Sequence, residues 1–274
     1  MQELSNSALH RMLDAIASGR PNDVSPADVR ASLEEVGIRS LDDLSERLLE
    51  RVRRSGGDLR QPAPIDLRSL RRPPLDGLEA SLEHAVPQIP FRWSGKLHEP
   101  SEIRRFDGKA IAYVPSAGPD GSVQLDIVDD IQAVRSWIEA RTVSGLIHSF
   151  RNGSDDSTRS IPAHYPRSIQ VGEHELTGVI GPEDPAGLWV GETLTLEPGR
   201  AYFDLTDVYL SWPWSTWNDK ISFIGISRSY CQFWDHINFQ GDCLLAGAHV
   251  GGNWLPFLSQ VGWNDRISSF ANAG

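Results

Sequence analysis

The sequence predicts an α+β multidomain chain: an N-terminal helical bundle, a small ββα module, and a C-terminal all-β sandwich built from two repeated units. Three observations predict it. The first 55 residues carry apolar positions at helical spacing, set off by caps and glycines. From about residue 172 the texture changes to short alternating apolar runs broken by Gly, Pro, Asn and Asp, and seven of the nine tryptophans fall there (Trp189, Trp212, Trp214, Trp217, Trp234, Trp254, Trp263). The phrase Trp-Asn-Asp-basic-Ile-Ser occurs twice, at Trp217 and at Trp263, an offset of 46 residues. Repetition at that period marks two copies of one supersecondary unit.

The N-terminal elements follow from local signals. Leu9, Met12, Leu13 and Ile16 keep helical spacing, Ser7 caps them, and Gly19 with Pro21 supplies the stop. A second helix has Ser25 as N-cap, Pro26 at its first position and Asp28 completing a capping-box pattern, with Val29, Leu33 and Val36 on one face. The third runs from Ser40 to about Arg54 on Leu41, Leu44, Leu48 and Val52. Three such helices bury little alone, so residues 1–55 read as a docking segment that packs on the rest of the chain or on a partner.

Residues 56–100 are rich in Pro, Gly and Arg and read as a linker with at most one short helix near Leu75–His84. Residues 101–145 hold the ββα module: two β-rich runs, Lys109–Pro115 and Ser122–Val128, around a turn-forming stretch, then a helix with Ile131, Val134, Trp137 and Ile138 at 3.6 spacing. Residues 146–171 are polar and read as a loop, and the sandwich fills 172–274.

Charge is unevenly placed. The chain carries −11 formally, and residues 172–274 hold 12 acidic against 4 basic side chains. A domain so charged repels nucleic acid and attracts cations. Residues 51–72 are biased the other way, with Arg51, Arg53, Arg54, Arg60, Arg68, Arg71 and Arg72 facing Asp58 and Asp66; they read as a solvated linker or as a docking strip for an acidic partner. An unidentified protein partner is therefore expected through residues 1–72. There is no apolar run long enough for a membrane span and no secretory pattern at the start, so the expected location is cytoplasmic, or outside by a route without a classical signal peptide. The two cysteines, Cys231 and Cys243, have no His or Cys companions at metal spacing. They flank a hairpin and read as reduced buried thiols, a disulfide being the alternative.

Around the repeated phrase, Leu188–Gly199 aligns with Asn238–His249, matching Gly191 with Gly241 and Trp189 with Phe239. The second copy, with Phe233, Phe239, Gly241 and then Asn264-Asp265-Arg266-Ile267-Ser268-Ser269, resembles a Greek-key motif of the βγ-crystallin superfamily, microbial type. The first copy keeps Trp189, Gly191 and Asn218-Asp219-Lys220-Ile221-Ser222 but has Phe223 for the final Ser and Glu183 for the opening aromatic. The resemblance covers about 100 residues and implies a Greek-key sandwich that binds Ca2+.

Calcium takes six to eight hard oxygens at ~2.3–2.6 Å, and a loop reading Asn-Asp-x-x-Ser offers a carboxylate, an exposed carbonyl and a hydroxyl. One loop supplies too few. The resemblance implies two reciprocal sites, with Asp219 and Lys220 on one ion, Asp265 and Arg266 on the other, and Ser222 and Ser268 each lent to the opposite site. It further implies a carbonyl ligand near Asp235. Lys220 and Arg266 are expected to lower affinity slightly through their charge.

Catalytic motifs are missing: no HExxH, GxSxG, phosphate loop or Cys-His arrangement occurs, and His236 reads as a packed or capping residue. The expected function is thus a non-enzymatic calcium-binding protein that stabilises or attaches a larger assembly through its N-terminal helices. Rival readings are a peptidase-inhibitor-like protein, since a microbial inhibitor family resembles this Cys-flanked hairpin, and a toxin whose C-terminal part is a targeting module.

Overall fold

A computed structural model describes residues 63–65, 77–117, 122–138, 168–173, 192–211, 215–227, 231–246, 253–255 and 257–272, with Ala27, Ala31 and Glu34 as single positions. Among the described residues, fifteen strands order as follows. Before the repeat come β1 (Ala63–Pro64), the short helix α1 (Leu78–Ser81), β2 (Phe91–Trp93), β3 (Lys96–His98), β4 (Ala112–Ala117) and β5 (Val123–Val128), with helix α2 at 131–138. The first copy contributes β6 (Ile169–Gly172), β7 (Thr193–Leu196), β8 (Arg200–Tyr202) and, after the small hairpin β9 (Tyr209–Ser211) and β10 (Ser215–Thr216), β11 (Phe223–Ser227). The second contributes β12 (Cys231–His236), β13 (Gln240–Ala246), β14 (Asn253–Leu255) and β15 (Ser269–Asn272).

The two copies fold alike and exchange one strand. One sheet runs β14-β11-β6-β7; within the other runs β8-β15-β12-β13. Each therefore holds three strands of one copy and the third strand of the other. Registers agree pair by pair: Val171 faces Ile224 as Phe233 faces Phe270, and Gly172 faces Phe223 as Trp234 faces Ser269. In the last pair the large residue has changed sides. The Phe223 ring occupies the space a side chain at Gly172 would need, whereas Trp234 stands opposite the small Ser269.

Between the sheets lies an apolar core fixed by two-residue alternation. Ile169, Val171, Leu196 and Ile224 meet Cys231, Phe233, Leu244, Ala246, Tyr202 and Phe270. Phe233 and Phe270 stack at 5.3 Å. Full burial of each such side chain is worth about 1.5–3 kcal/mol.

The expected architecture, an α+β multidomain chain with an N-terminal helical bundle, a small ββα module and a C-terminal all-β Greek-key sandwich of βγ-crystallin type, is corrected by the structure. The described residues are mostly β, and the principal sheet is a single mixed one of nine strands, β1-β8-β15-β12-β13-β4-β5-β2-β3. It does not end at β13. Cys243 pairs with Ala112 and Leu244 with Tyr113 in parallel, so β4 and β5 continue the sheet, and β2 then pairs with β5, also in parallel. The β-rich runs of the expected ββα module are thus strands of the same sheet as the second copy, and the Pro- and Arg-rich stretch before them supplies β1, β2 and β3. The physical reason is the edge: β13 is buried at all seven positions, and an open edge there would leave its amides unpaired.

Among the described residues helix is confined to α1, α2 and short 3-10 turns, besides the helical positions Ala27, Ala31 and Glu34, which fall in the second expected helix. The other residues of the expected bundle lie outside the described residues. Asp130 caps α2 by accepting from the amides of Gln132 and Ala133 at 3.1 and 3.0 Å, a contribution of about 1 kcal/mol. From α2, Val134, Trp137 and Ile138 are fully buried, and Arg135 lies over the Trp234 ring while donating to the Phe239 carbonyl at 2.9 Å.

Candidate functional site

The two repeated phrases form loops that cross. The amide of Asp219 donates to the Ile267 carbonyl at 3.1 Å, and the amide of Asp265 donates to the Ile221 carbonyl at 3.2 Å. Each aspartate sits in the left-handed region, φ 53° and 54°, which short polar residues tolerate best. Each is braced by the asparagine before it: Asn218 Nδ2 donates to Asp219, and Asn264 Nδ2 to Asp265, both at 2.7 Å.

The crossing brings carboxylate and hydroxyl together across the copies. Ser222 Oγ lies 3.2 Å from Asp265 Oδ1, and Ser268 Oγ lies 3.3 Å from Asp219 Oδ1. Both serines are buried, at 4% and 5% exposure, while both aspartates reach solvent. The serines are placed by matched backbone bonds: Ser222 N donates to Gly172 O and Ser268 N to Trp234 O, each at 2.9 Å.

The clamps differ in a third oxygen. Ser268 Oγ also lies 2.9 Å from the Asp235 carbonyl, so three oxygens from three segments converge on the Asp219 clamp. The counterpart near Glu183 lies outside the described residues. Partial burial raises the Asp219 carboxyl above its ordinary value, the Ser268 bond lowers it less, and the Asp235 charge adds to the rise. Phe223, standing where the second copy has Ser269, brings no hydroxyl. Ser269 Oγ donates to the His236 carbonyl at 2.7 Å and accepts from the Phe239 amide at 3.1 Å, which pins the β12–β13 hairpin.

Of the residues expected at the metal, Asp219, Ser268 and Asp235 meet at one clamp and Asp265 and Ser222 at the other. Lys220 and Arg266 were expected through their carbonyls. The Lys220 side chain is exposed, whereas Arg266 turns inward, so its charge serves a different purpose. His236 is a side-chain partner of Asp235 at 2.8 Å, and that bond, ahead of opposing burial, raises its pKa.

Sequence reasoning missed a buried ionic cluster behind the Asp219 clamp. Arg266 Nη2 lies 2.9 Å from Asp235 Oδ2 and 3.0 Å from Asp242 Oδ2, and its Nη1 donates to the Gly262 carbonyl at 3.1 Å. Its guanidinium lies over the Trp263 ring at 5.0 Å. Burial opposes its charge, but the carboxylates of Asp235 and Asp242 outweigh burial and keep it protonated. Asp242 Oδ1 accepts from the Ile111 amide at 2.9 Å, tying β13 to the start of β4.

His84 completes the cluster from the segment expected to be a linker. The ring is fully buried, with Nδ1 3.0 Å from Asp107 Oδ1 and Nε2 3.2 Å from Asp242 Oδ2, the latter within ion-pair range although its N–H does not point squarely at that oxygen. Burial would lower its pKa, but Asp242 and then Asp107 raise it on balance. Asp107 is lowered, first by the His84 amide and then by the ring. The segment lies tight on the second copy: Gln88 N donates to Gln260 O at 2.8 Å, and a Cβ on Gly262, at φ 75°, would come 2.8 Å from the Ala85 carbonyl. A signal did exist in the sequence, since Asp235, Asp242 and Arg266 are three of the charges in an otherwise apolar stretch, but nothing there pointed to His84.

Cys231 and Cys243 are both buried, and neither is in a disulfide. They sit on adjacent strands but out of register, Cys231 opposite Ala246 and Cys243 opposite Trp234. Burial raises the Cys243 thiol well above its ordinary value.

Among the described residues no group of three or more His, Cys, Asp or Glu side chains is placed to hold a metal ion. A cation at the clamps would therefore draw on hydroxyl, carbonyl and water besides one carboxylate each. That donor set is all hard oxygen, which fits calcium and does not fit zinc or copper. No helix of the described residues is long and apolar enough to cross a membrane. No protein-family model, curated protein or solved structure matches the chain.

Proposed function

We propose that the protein binds calcium at two crossed aspartate–serine clamps and uses the ion to hold its two repeated units together. The observation that carries this reading is the reciprocity of the pairs Ser222–Asp265 and Ser268–Asp219. Neither loop contains its own hydroxyl partner, so a cation in either clamp bridges the copies. At the first, Asp219 supplies the carboxylate, Ser268 the hydroxyl and Asp235 a main-chain carbonyl, with the Lys220 carbonyl next in the loop. At the second, Asp265 and Ser222 play the same parts, with the Arg266 carbonyl following. The remaining coordination falls to water, and the acidic balance of residues 172–274 raises the local cation concentration.

A ligand bound by the folded state alone stabilises it by RT ln(1 + [L]/Kd), about 2.7 kcal/mol at a hundredfold excess. Each occupied site therefore adds roughly 5–10 °C in Tm for a chain of this size, and two filled sites about twice that. Calorimetric titration with calcium chloride should show two sites, and melts in calcium and in chelator should differ by that amount. An unchanged midpoint together with no heat of binding refutes the reading. Attachment to a larger assembly through residues 1–72 is part of the same proposal, supported by the arginine bias of residues 51–72; a pull-down with and without those residues tests it.

A further inference from the structure

Resting on the calcium reading above, we propose that His84 is a positioning residue for one clamp: from outside the repeat it fixes Asp235, and so favours cation binding at Asp219–Ser268 over Asp265–Ser222.

The Asp235 carbonyl and carboxylate do separate jobs. The carbonyl lies 2.9 Å from Ser268 Oγ, closer than Asp219 Oδ1 at 3.3 Å. A hydroxyl has one proton to donate. Given to one lone pair of the Asp235 carbonyl, it leaves the Ser268 lone pairs and the second lone pair of that carbonyl for a cation beside the Asp219 carboxylate. The place of that carbonyl depends on how the carboxylate of the same residue is held. Its Oδ1 accepts from the Asp242 amide and meets His236 Nδ1, both at 2.8 Å, and its Oδ2 meets Arg266. Gly241 makes room for this, since a Cβ there, at φ 78°, would run into Asp235 and His236.

Charge counting gives His84 its part. Asp235 and Asp242 are both buried and share one guanidinium nitrogen, Arg266 Nη2. His236 Nδ1 also meets Asp235, so it is Asp242 that has only a share of one guanidinium, which is costly in a poorly solvated place unless a further partner is supplied. His84 supplies it on the Asp242 side and is itself anchored by Asp107. With Asp242 satisfied by His84 and by the Ile111 amide, Arg266 remains with Asp235. Without His84 the guanidinium is pulled towards Asp242, and the Asp235 carbonyl shifts with its carboxylate. The Asp265 clamp has no such link: among the described contacts, Ser222 Oγ meets Asp265 itself, and the aspartate is held by Asn264 and by Ile221 of the other loop.

The test separates the clamps in the full chain. Asp265→Asn leaves the Asp219 clamp and Asp219→Asn leaves the other; calcium chloride is titrated into each by calorimetry. Adding His84→Ala should weaken binding about tenfold in the Asp265→Asn background, the range seen when an outer partner of a metal ligand is removed, and less than about twofold in the other. His84→Gln, whose amide still donates to one carboxylate, should recover part of the loss. Asp107→Asn, which leaves His84 in place but unanchored, should act in the same direction with smaller effect and keeps the test open if His84→Ala fails to fold. Equal loss in both backgrounds would show a merely structural role and overturn the proposal, as would no loss in the first. If neither parent binds calcium, the calcium reading falls, and this inference with it.

Discussion

Arg266→Met is the severest single test of how the clamp region is held. The substitution keeps a long apolar side chain over Trp263 but removes the positive charge from between Asp235 and Asp242, whose side chains are 7% and 1% exposed. Breaking a buried pair from one side costs about 3–5 kcal/mol, because the other side is left charged in a poor solvent. Here two carboxylates lose their shared guanidinium, and each keeps one imidazole neighbour, Asp235 with His236 and Asp242 with His84. The Gly262 carbonyl and the cation–π contact are lost as well. At about 2–4 °C per kcal/mol for a chain of this size, the midpoint should fall by roughly 10 °C or more. Urea denaturation and calorimetric melts, both in chelator so that metal plays no part, measure it. Arg266→Lys should fall between, since one ammonium keeps the charge but lacks the fork that reaches two carboxylates and a carbonyl at once. A loss below about 1 kcal/mol for Arg266→Met, the value of an exposed ion pair, would refute the picture of a buried, mutually dependent cluster.

The remaining predictions use the same assays. Asp219→Asn should melt at or above the wild-type midpoint in chelator yet gain less from calcium: a carboxyl raised in the fold contributes stability only at low pH, and loses it as pH rises through its folded pKa, so at neutral pH the bare charge is a burden. For His84 the folded pKa is raised above its ordinary 6.5, so its contribution is fully present below that value and is lost as pH rises through the folded one. Unfolding free energy by urea should therefore fall as pH rises from 6.5 through the folded value in the wild type, and more steeply than in His84→Gln; an identical slope refutes the assignment. Cys231 and Cys243 should both react with a thiol reagent after denaturation and stay silent in the native protein; a single disulfide found by mass spectrometry would contradict the register of β12 and β13.

The crossed clamps were legible in the sequence because the signal is short and doubled. Asp219 with Ser222, and Asp265 with Ser268, are read off a few consecutive residues, while their pairing across the copies was expected only through the resemblance. The β-texture of residues 172–274 and the buried face of α2 were legible for the same reason, each being a local periodicity. Legibility failed where proximity comes from the sheet alone. Nothing in Phe91–Trp93 or Ala112–Ala117 states which strand it joins, and His84 stands in a segment whose prolines and glycines read as linker. One further signal lies in the sequence itself. Cys243-Leu244-Leu245-Ala246 is an unbroken apolar run, and an edge strand with one wet face would have alternated. Read that way, β13 required a neighbour beyond the repeat, and β4 is that neighbour.

The joining of that neighbour also decides what the repeat can do. Two copies related by symmetry would offer two equal clamps, and equal clamps would fill together over the same range of calcium. This chain departs from equality at each level. In the core, the bulk of the Gly172–Phe223 pair sits on the opposite strand from that of Trp234–Ser269, and with Phe223 goes the hydroxyl that pins the hairpin in the second copy. In the sheet, the nine-stranded side is extended past β13 whereas the four-stranded side ends at β7 among the described residues. In charge, the extension carries Asp107 and His84 to Asp242, and from there the cluster reaches Asp235, whose carbonyl serves the Asp219 clamp. Each departure strengthens the scaffold around Asp235. The two clamps are therefore expected to fill in order, Asp219–Ser268 first, and a titration that fits two identical independent sites would contradict an asymmetry that the fold builds in three separate ways.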